Sequence, residues 1–493
     1  MGANIALADV KVHFFSEEAR KWWTLAAVSF GLFMIMLDNT VVNVALPSMA
    51  RDLGVGLAEL EWIVTGYALT FASVMLTGGK LADLFGRRRI FVVGLAIFTL
   101  SSLACGLAES GDFLIGARIV QGVGAALMNP ATLSIIAATF PPHQRGMAIG
   151  IWAGVSALAL AIGPLVGGLL TQHLDWSWIF FVNVPIGILA IVASFVLIPE
   201  SKDESAEQRL DLPGLLTSGI GLFAFTYGLI EANTYGWTSG RIVASFVLAV
   251  AMLTAFVLLE LRQRLPMLDL SLFRSGTFVG ANLAVLLVAL AMFGVFFFLS
   301  LYMQGILGFS AVQAGAAFLP MTILIILIAP IAGKSSDRFG SRWLMTVGML
   351  LVSSQLVYFS RLGVDSDFWS LLPGMLTGGV GMSLVMTPSA AAAMRALPVD
   401  KSGVGSAVLN AFRQVGGSLG IALMGAIMAH EVGDFRGAAV FQQKQAFVDG
   451  LSTTMTVAAL IALVGAVVAA VLVRSHDPQA REPVAERIPE IAA

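Results

Sequence analysis

The sequence predicts an all-α membrane protein: two pseudo-symmetric six-helix bundles with two extra helices between them, fourteen transmembrane helices in all. Three observations predict it. The 493 residues are 58% hydrophobic and 12% charged, with mean hydropathy +0.88, more apolar surface than a water-soluble globule uses. The apolar runs are long enough to cross a bilayer at about 20 residues per span. The stretch Gly79-Lys80-Leu81-Ala82-Asp83-Leu84-Phe85-Gly86-Arg87-Arg88-Arg89 returns, degraded, as Gly333-Lys334-Ser335-Ser336-Asp337-Arg338-Phe339-Gly340-Ser341-Arg342, 254 residues on.

The predicted spans lie near 22–47, 61–81, 90–108, 113–137, 147–171, 178–198, 212–231, 241–260, 277–302, 313–333, 343–361, 369–393, 404–429 and 450–473. Leu46-Pro47, Pro141-Pro142 and Ile198-Pro199 mark ends. Basic residues set the orientation. With the N-terminus inside, inner segments carry 21 Lys and Arg, including Arg87, Arg88, Arg89, Lys334 and Arg395, and outer segments only Arg51, Arg241, Arg361, Arg436 and Lys444. The expectation is a multi-pass protein of the cell (inner) membrane with both termini cytoplasmic. The first apolar run follows a polar leader and is long enough to remain in the membrane, so no cleavable signal is expected.

Further pairs keep nearly the same offset. Pro142 to Gly146 resembles Pro398 to Ser402, and Gly122-Val123-Gly124 resembles Gly379-Val380-Gly381. The expected division is a cytoplasmic segment 1–21, a bundle 22–198, a linker with two extra helices 199–274, a bundle 275–473 and a cytoplasmic tail 474–493. The 51 glycines suit close helix packing in lipid. A net charge of -2 gives no reason to expect nucleic acid, and the single Cys105 excludes an internal disulfide.

Two charged residues interrupt apolar helices at depth. Asp38 lies sixteen positions past Trp22, roughly 24 Å along a helix, beyond snorkelling reach of either end. A carboxyl there is protonated, paired or facing water; burial favours the acid and a nearby cation the carboxylate, so it can take or release a proton as its surroundings change. The bland alternative is a structural hydrogen bond. Arg118 stays cationic at any depth, with Gln121 and Gly122 on its face. Spacing along the chain does not set whether Arg118 touches Asp38. Asn39 and Asn43 share a face and either line a cavity or bond another helix; Gln121, Trp152 and Arg413 are further cavity candidates. Glu231 and Glu260, near span ends, read as solvated.

Ordered along the chain, several segments resemble the major facilitator superfamily, in its fourteen-spanner branch of drug/proton antiporters, over residues 20–475. Gly79 to Arg89 is similar to the loop motif between spans two and three, Leu37 to Pro47 to the branch's first-span motif, and Arg118 to Ala126 to the fourth-span motif. Gly163-Pro164-Leu165-Val166-Gly167-Gly168 resembles the antiporter motif of span five, although Ala159 stands where that motif usually begins with Gly. Trp178 to Pro185 and Asn410 to Gly417 are also similar to the branch.

The resemblance implies a proton-coupled multidrug efflux antiporter working by alternating access. Asp38 and Arg118 are the implied proton-coupling residues. Gly79, Asp83, Gly86, Arg87 and Arg88, with Asp337 and Arg338 as the weaker copy, form an implied conformational latch beside their plain role as topology determinants. Gly163, Pro164, Gly167 and Gly168 give a smooth, bent helix face that seals the cavity on one side. Lipophilic small molecules, protons and membrane lipids are the expected partners of a monomer, with an accessory partner conceivable. The sequence holds no Gly-x-x-x-x-Gly-Lys-Ser/Thr loop, metal-ligand cluster or triad pattern, so no cofactor and no enzyme are expected. An exporter of one endogenous metabolite, lipid or siderophore is the first alternative, and a channel the second.

Overall fold

The computed structural model describes residues 17–202, 211–263, 266, 268, 270–397, 402–432 and 440–474. Among them the chain is helical almost throughout. The helices are α1 (Glu17–Leu53), α2 (Leu57–Phe85), α3 (Arg87–Gly106), α4 (Gly111–Thr139), α5 (Pro142–His173), α6 (Trp178–Phe181), α7 (Asn183–Leu197), α8 (Leu212–Tyr235) and α9 (Gly240–Arg262). They continue as α10 (Gly276–Gly305), α11 (Ala311–Ala317), α12 (Leu319–Phe339), α13 (Ser341–Phe359), α14 (Phe368–Arg395), α15 (Ser402–Val432) and α16 (Val440–Leu472). Each predicted span falls on helix. Among the described residues eleven helical stretches are long and apolar enough to cross a membrane, and a twelfth crossing follows if α2, bent by 50°, counts as one. This is a multi-pass helical membrane protein. Residues 1–16 and 475–493, which contain most of the expected leader and tail, lie outside the described residues, and α1 already begins at Glu17.

Local chemistry sets the helix boundaries. Ser110, Ser239, Ser275, Ser310 and Asp367 each accept from a backbone N–H of the first turn, satisfying a donor that has no partner inside its helix. Gly86 and Gly340 turn the chain between α2 and α3 and between α12 and α13 with φ of 109° and 81°, a region that disfavours other residues.

The repeat seen in the sequence is also a repeat in packing. Matching helix pairs pack closely in both sets: α1–α5, α2–α4 and α3–α4 before residue 200, and α10–α15, α12–α14 and α13–α14 after residue 275. Glycines hold equivalent helices together. A Cβ on Gly94 of α3 would lie 2.8 Å from the Gly124 carbonyl oxygen of α4, and a Cβ on Gly348 of α13 would lie 2.8 Å from that of Gly381 in α14. Both contacts exclude any side chain at the crossing and let backbones touch.

α8 packs on α2 and α15, while α9 packs chiefly on α8, with only 11% of its most apolar stretch buried. The end of the molecule that carries residues 79–89 and 333–342 is the motif end. Hydrogen bonds join the two helix sets at the opposite end: Ser300 Oγ donates to Asn43 O at 2.8 Å, Gln304 Nε2 to Val44 O at 2.9 Å, and Val312 N–H to Gln172 Oε1 at 3.1 Å. The molecule is therefore shut at the opposite end.

Candidate functional site

Asp38 and Arg118 meet. α1 brings the carboxylate and α4 the guanidinium, at 0% and 1% side-chain exposure, and Arg118 Nη1 donates to Asp38 Oδ2. Arg118 also donates from Nη1 to Gln121 Oε1 at 2.7 Å and from Nε to the Ile63 carbonyl of α2 at 3.1 Å. Gln121 Nε2 completes the ring by donating to Asp38 Oδ1 at 3.2 Å. The cation lies over the Tyr67 ring, 4.2 Å from its centroid, and 5.7 Å from that of Phe180. Gly122 makes this approach feasible, since a Cβ there would stand 2.6 Å from the Tyr67 carbonyl oxygen. Three helices are thus stitched together around one buried ion pair. Buried pairs hold only when such extra hydrogen bonds satisfy the remaining donors and acceptors. Cys105 Sγ donates weakly to Gln121 Oε1 at 3.7 Å, at the edge of this cluster.

The glycine-rich segment of α5 sits beside it. A Cβ on Gly163 would fall 1.8 Å from Thr40 Oγ1, and one on Gly167 would fall 2.7 Å from the Val41 carbonyl oxygen, both on α1 just past Asp38. On its other side α5 meets α11. A Cβ on Gly168 would lie 2.4 Å from the Ala311 carbonyl oxygen, and one on Gly315 would lie 2.1 Å from that of Pro164. The segment therefore bridges the Asp38 helix and the second helix set at the closed end.

At the motif end Asp83 pairs with Arg87 of the next helix at 3.1 Å. Arg88 donates through Nη1 to the Ile198 carbonyl at 3.1 Å, and its N–H meets Glu200 Oε1 at 3.1 Å. Arg88 and Arg89 each lie 3.7 Å from Glu200 Oε2. Gly79 packs on Pro130, 3.4 Å from where its Cβ would be. Glu200 carried no assigned role in the sequence; its signal was the first acid of the charged linker Pro199 to Glu204, directly after a span and opposite three clustered arginines. In the second copy Arg338 lies over its neighbour's Phe339 ring at 5.3 Å, and the Asp337 side chain lies outside the described residues. Arg395 holds this copy instead, donating to Ser336 Oγ at 2.7 Å and Ser341 Oγ at 2.6 Å.

Asn39 and Asn43 are half-buried, and their amides donate to their own helix, at Ile35 O (2.8 Å) and Asn39 O (3.3 Å). Trp152 donates to Thr132 Oγ1 at 3.0 Å. Arg413, on α15, is half-buried and is not brought to the Asp38 cluster.

Two expectations need correction. Asp38 is not the one deep acid, because Glu61 on α2 is 2% exposed. The predicted span began at residue 61, whereas α2 begins at Leu57, which carries Glu61 into the packed region. Glu260 is not solvated: it is 3% exposed and accepts from Leu268 N–H at 3.0 Å. Glu231 is half-buried and accepts from Trp62 Nε1 at 3.4 Å.

The fold and this sealed charge cluster define a multi-pass helical protein of the transporter type, with an ion pair locked inside its first helix set. The chain belongs to the Major Facilitator Superfamily, whose sequence profile matches residues 28–421 and 281–490. It is 35% identical over 504 residues to the tetracenomycin C resistance and export protein of Streptomyces glaucescens, covering 94% of each chain. It is 37% identical over 473 residues to the puromycin resistance protein pur8 of Streptomyces alboniger, again covering 94% of each. In fold it resembles the crystal structure of a bacterial homologue of the human lysosomal transporter Spinster, inward-facing and unoccupied, with TM-score 0.66, 18% identity, and coverage of 92% of this chain and 97% of that one.

Proposed function

We propose that this chain is a proton-driven exporter of lipophilic compounds, built as two six-helix bundles, residues 22–198 and 275–473, with α8 and α9 inserted, and crossing the cell membrane fourteen times. The excess of basic residues at the motif end makes that end cytoplasmic. The end held together by Ser300, Gln304 and Val312 is then the outer one, so the form described here is shut outside.

The observation that carries the proton reading is the Asp38–Arg118–Gln121 cluster. When Asp38 takes a proton it releases Arg118, yet Arg118 keeps Ile63 O at 3.1 Å and Gln121 Oε1 at 2.7 Å. The cation is not orphaned by the change, so the carboxyl can titrate without breaking the helix packing around it. A proton crossing about 100 mV and one pH unit supplies roughly 3.7 kcal/mol, about 500-fold of concentration work. The export reading is supported by the relatives named for antibiotic resistance and export.

The test is dye transport in proteoliposomes under an imposed pH gradient, comparing the native chain with Asp38→Asn. Gradient-driven transport is expected to vanish in the variant; equal coupling would remove Asp38 from the proton path. A second reading, an exporter of one compound only, is favoured by relatives named for single antibiotics. A panel of unrelated lipophilic dyes separates the two, since a single-compound exporter moves none of them.

A further inference from the structure

Glu61 stands four residues into α2, about 6 Å along its axis, at the closed end. It is 2% exposed, and no hydrogen bond or ion pair from the described residues reaches its carboxylate. Its head group fills a notch on the second helix set. A Cβ on Gly425 of α15 would lie 1.8 Å from Glu61 Oε1 and 2.4 Å from Oε2. α8 makes the third wall: Trp62 is tied to Glu231, and Asn233 Nδ2 donates to Ala426 O at 2.6 Å, one residue past the notch. The lining is otherwise apolar, with Leu229, Ile230 and Ala422 packed against Ala58 and Trp62.

A second acid stands on the facing helix, since Glu231 of α8 accepts from Trp62, the neighbour of Glu61. The cations nearby are engaged elsewhere. Arg118 of α4 serves Asp38, Arg51 of α1 donates to Ser48 Oγ, and Arg241 of α9 lies over the Tyr235 ring at 4.3 Å. Glu59 of α2 accepts from Gly56 N–H at 2.9 Å, Asp52 and Asp112 are exposed, and His430 and Glu431 of α15 lie beyond Gly425, both exposed.

We propose that Glu61 is a second proton-binding site, loaded from the outside, which must be neutral before α2 can close on α15 and α8. An ion buried without a partner costs several kcal/mol, and a second carboxylate nearby makes the ionised closed state worse. The uncharged acid fits the glycine notch without that penalty. When α2 and α15 part, Glu61 meets outside water, where the carboxylate is stable and can bind one proton. Closure follows protonation. The inserted α8 thereby acquires a role, because it carries the like charge that forbids closure around an unprotonated Glu61.

This inference rests on the exporter reading, but its test reads closure rather than transport. A membrane-impermeant maleimide, added outside, reports on an Ala58→Cys probe in right-side-out vesicles, with the parent chain as the control for buried Cys105. Normalised at each pH to a permanently exposed cysteine, because the thiolate that maleimide attacks itself grows with pH, labelling is expected to rise several-fold from pH 6 to pH 9 with Glu61 present, and to stay low throughout with Glu61→Gln. Glu61→Asp is expected to keep the pH response. Gly425→Ala, whose methyl occupies the notch, is expected to leave labelling high at both pH values. The same pH response in Glu61→Gln as in the parent, or native labelling in Gly425→Ala, would overturn the proposal. In an Asp38→Asn background the pH response is expected to persist, so a failure of the Asp38 reading and a failure of this one are distinguishable.

Discussion

Removing Arg118 tests how the buried cluster is balanced. In Arg118→Met the Asp38 carboxylate loses its cation and keeps only the Gln121 amide, at 3.2 Å. The Ile63 carbonyl loses its side-chain donor, and Gln121 Oε1 keeps only the weak thiol contact of Cys105. Breaking a buried pair by deleting one partner costs about 3–5 kcal/mol, because the remaining charge stays buried without compensation. Deleting both charges is far milder, and apolar replacements of similar volume are often neutral or stabilising. The double variant Asp38→Asn with Arg118→Met is therefore expected to recover at least about 2 kcal/mol of what the single change loses, a coupling that additivity forbids for independent sites. Unfolding of the purified protein in detergent, followed by near-UV circular dichroism, measures all four members of the cycle. The reasoning is refuted if Arg118→Met is as stable as the parent, or if the double variant is no more stable than the single one. Transport is expected to be lost in every variant, which separates the stability of the cluster from its use.

Gly167→Ala is expected to lose about 1–3 kcal/mol and most transport, because its methyl meets the Val41 backbone at 2.7 Å and α5 must move away from α1; wild-type transport would show that this contact is dispensable. Asp83→Asn removes a partly exposed pair and is expected to change stability by less than about 1 kcal/mol while slowing transport, read by comparing unfolding with dye efflux. Glu200→Ala removes the ion pairs to Arg88 and Arg89, leaving Arg88 only its bond to the Ile198 carbonyl, and is expected to expose the segment after α7 to protease, with faster nicking near residues 199–202 as the readout. Asp367 is held below the ordinary carboxylate range by hydrogen bonds from the Ser370 hydroxyl and Ser370 N–H. Its folded value is depressed, so its support of the start of α14 is complete above 3.8 and fades as pH falls through the lowered value; Asp367→Ala is expected to abolish that acid dependence.

Much of this architecture is legible in the chain because lipid leaves few choices. Backbone groups in an apolar run must be satisfied within a helix, so each long run announces one. The repeat is legible because the two copies keep the same turn, down to the positive-φ glycines Gly86 and Gly340. Asp38 and Arg118 stand out as charges at depth, but their contact links positions eighty residues apart on different helices, and no periodicity encodes that. The number of crossings is less legible: α13 is helical where predicted, yet is not among the helices long and apolar enough to be counted. Glu61 is hidden in the sequence because an acid near a helix end is normally wet, and only the neighbouring α8 and α15 bury it. Glu260 misleads for the same reason: the chain just after α9 folds back to donate Leu268 N–H to it.

Every member of the charge cluster, Asp38, Ile63, Arg118 and Gln121, comes from α1, α2 or α4, on one side of the molecule. A rocking of one half against the other leaves those distances intact by rigid-body geometry alone. News of that motion has to be delivered mechanically, and α5 is placed to act as the pushrod, with one flank on Thr40 and Val41 and the other on Ala311. Bulk added along that rod would jam the motion while leaving the charges chemically untouched.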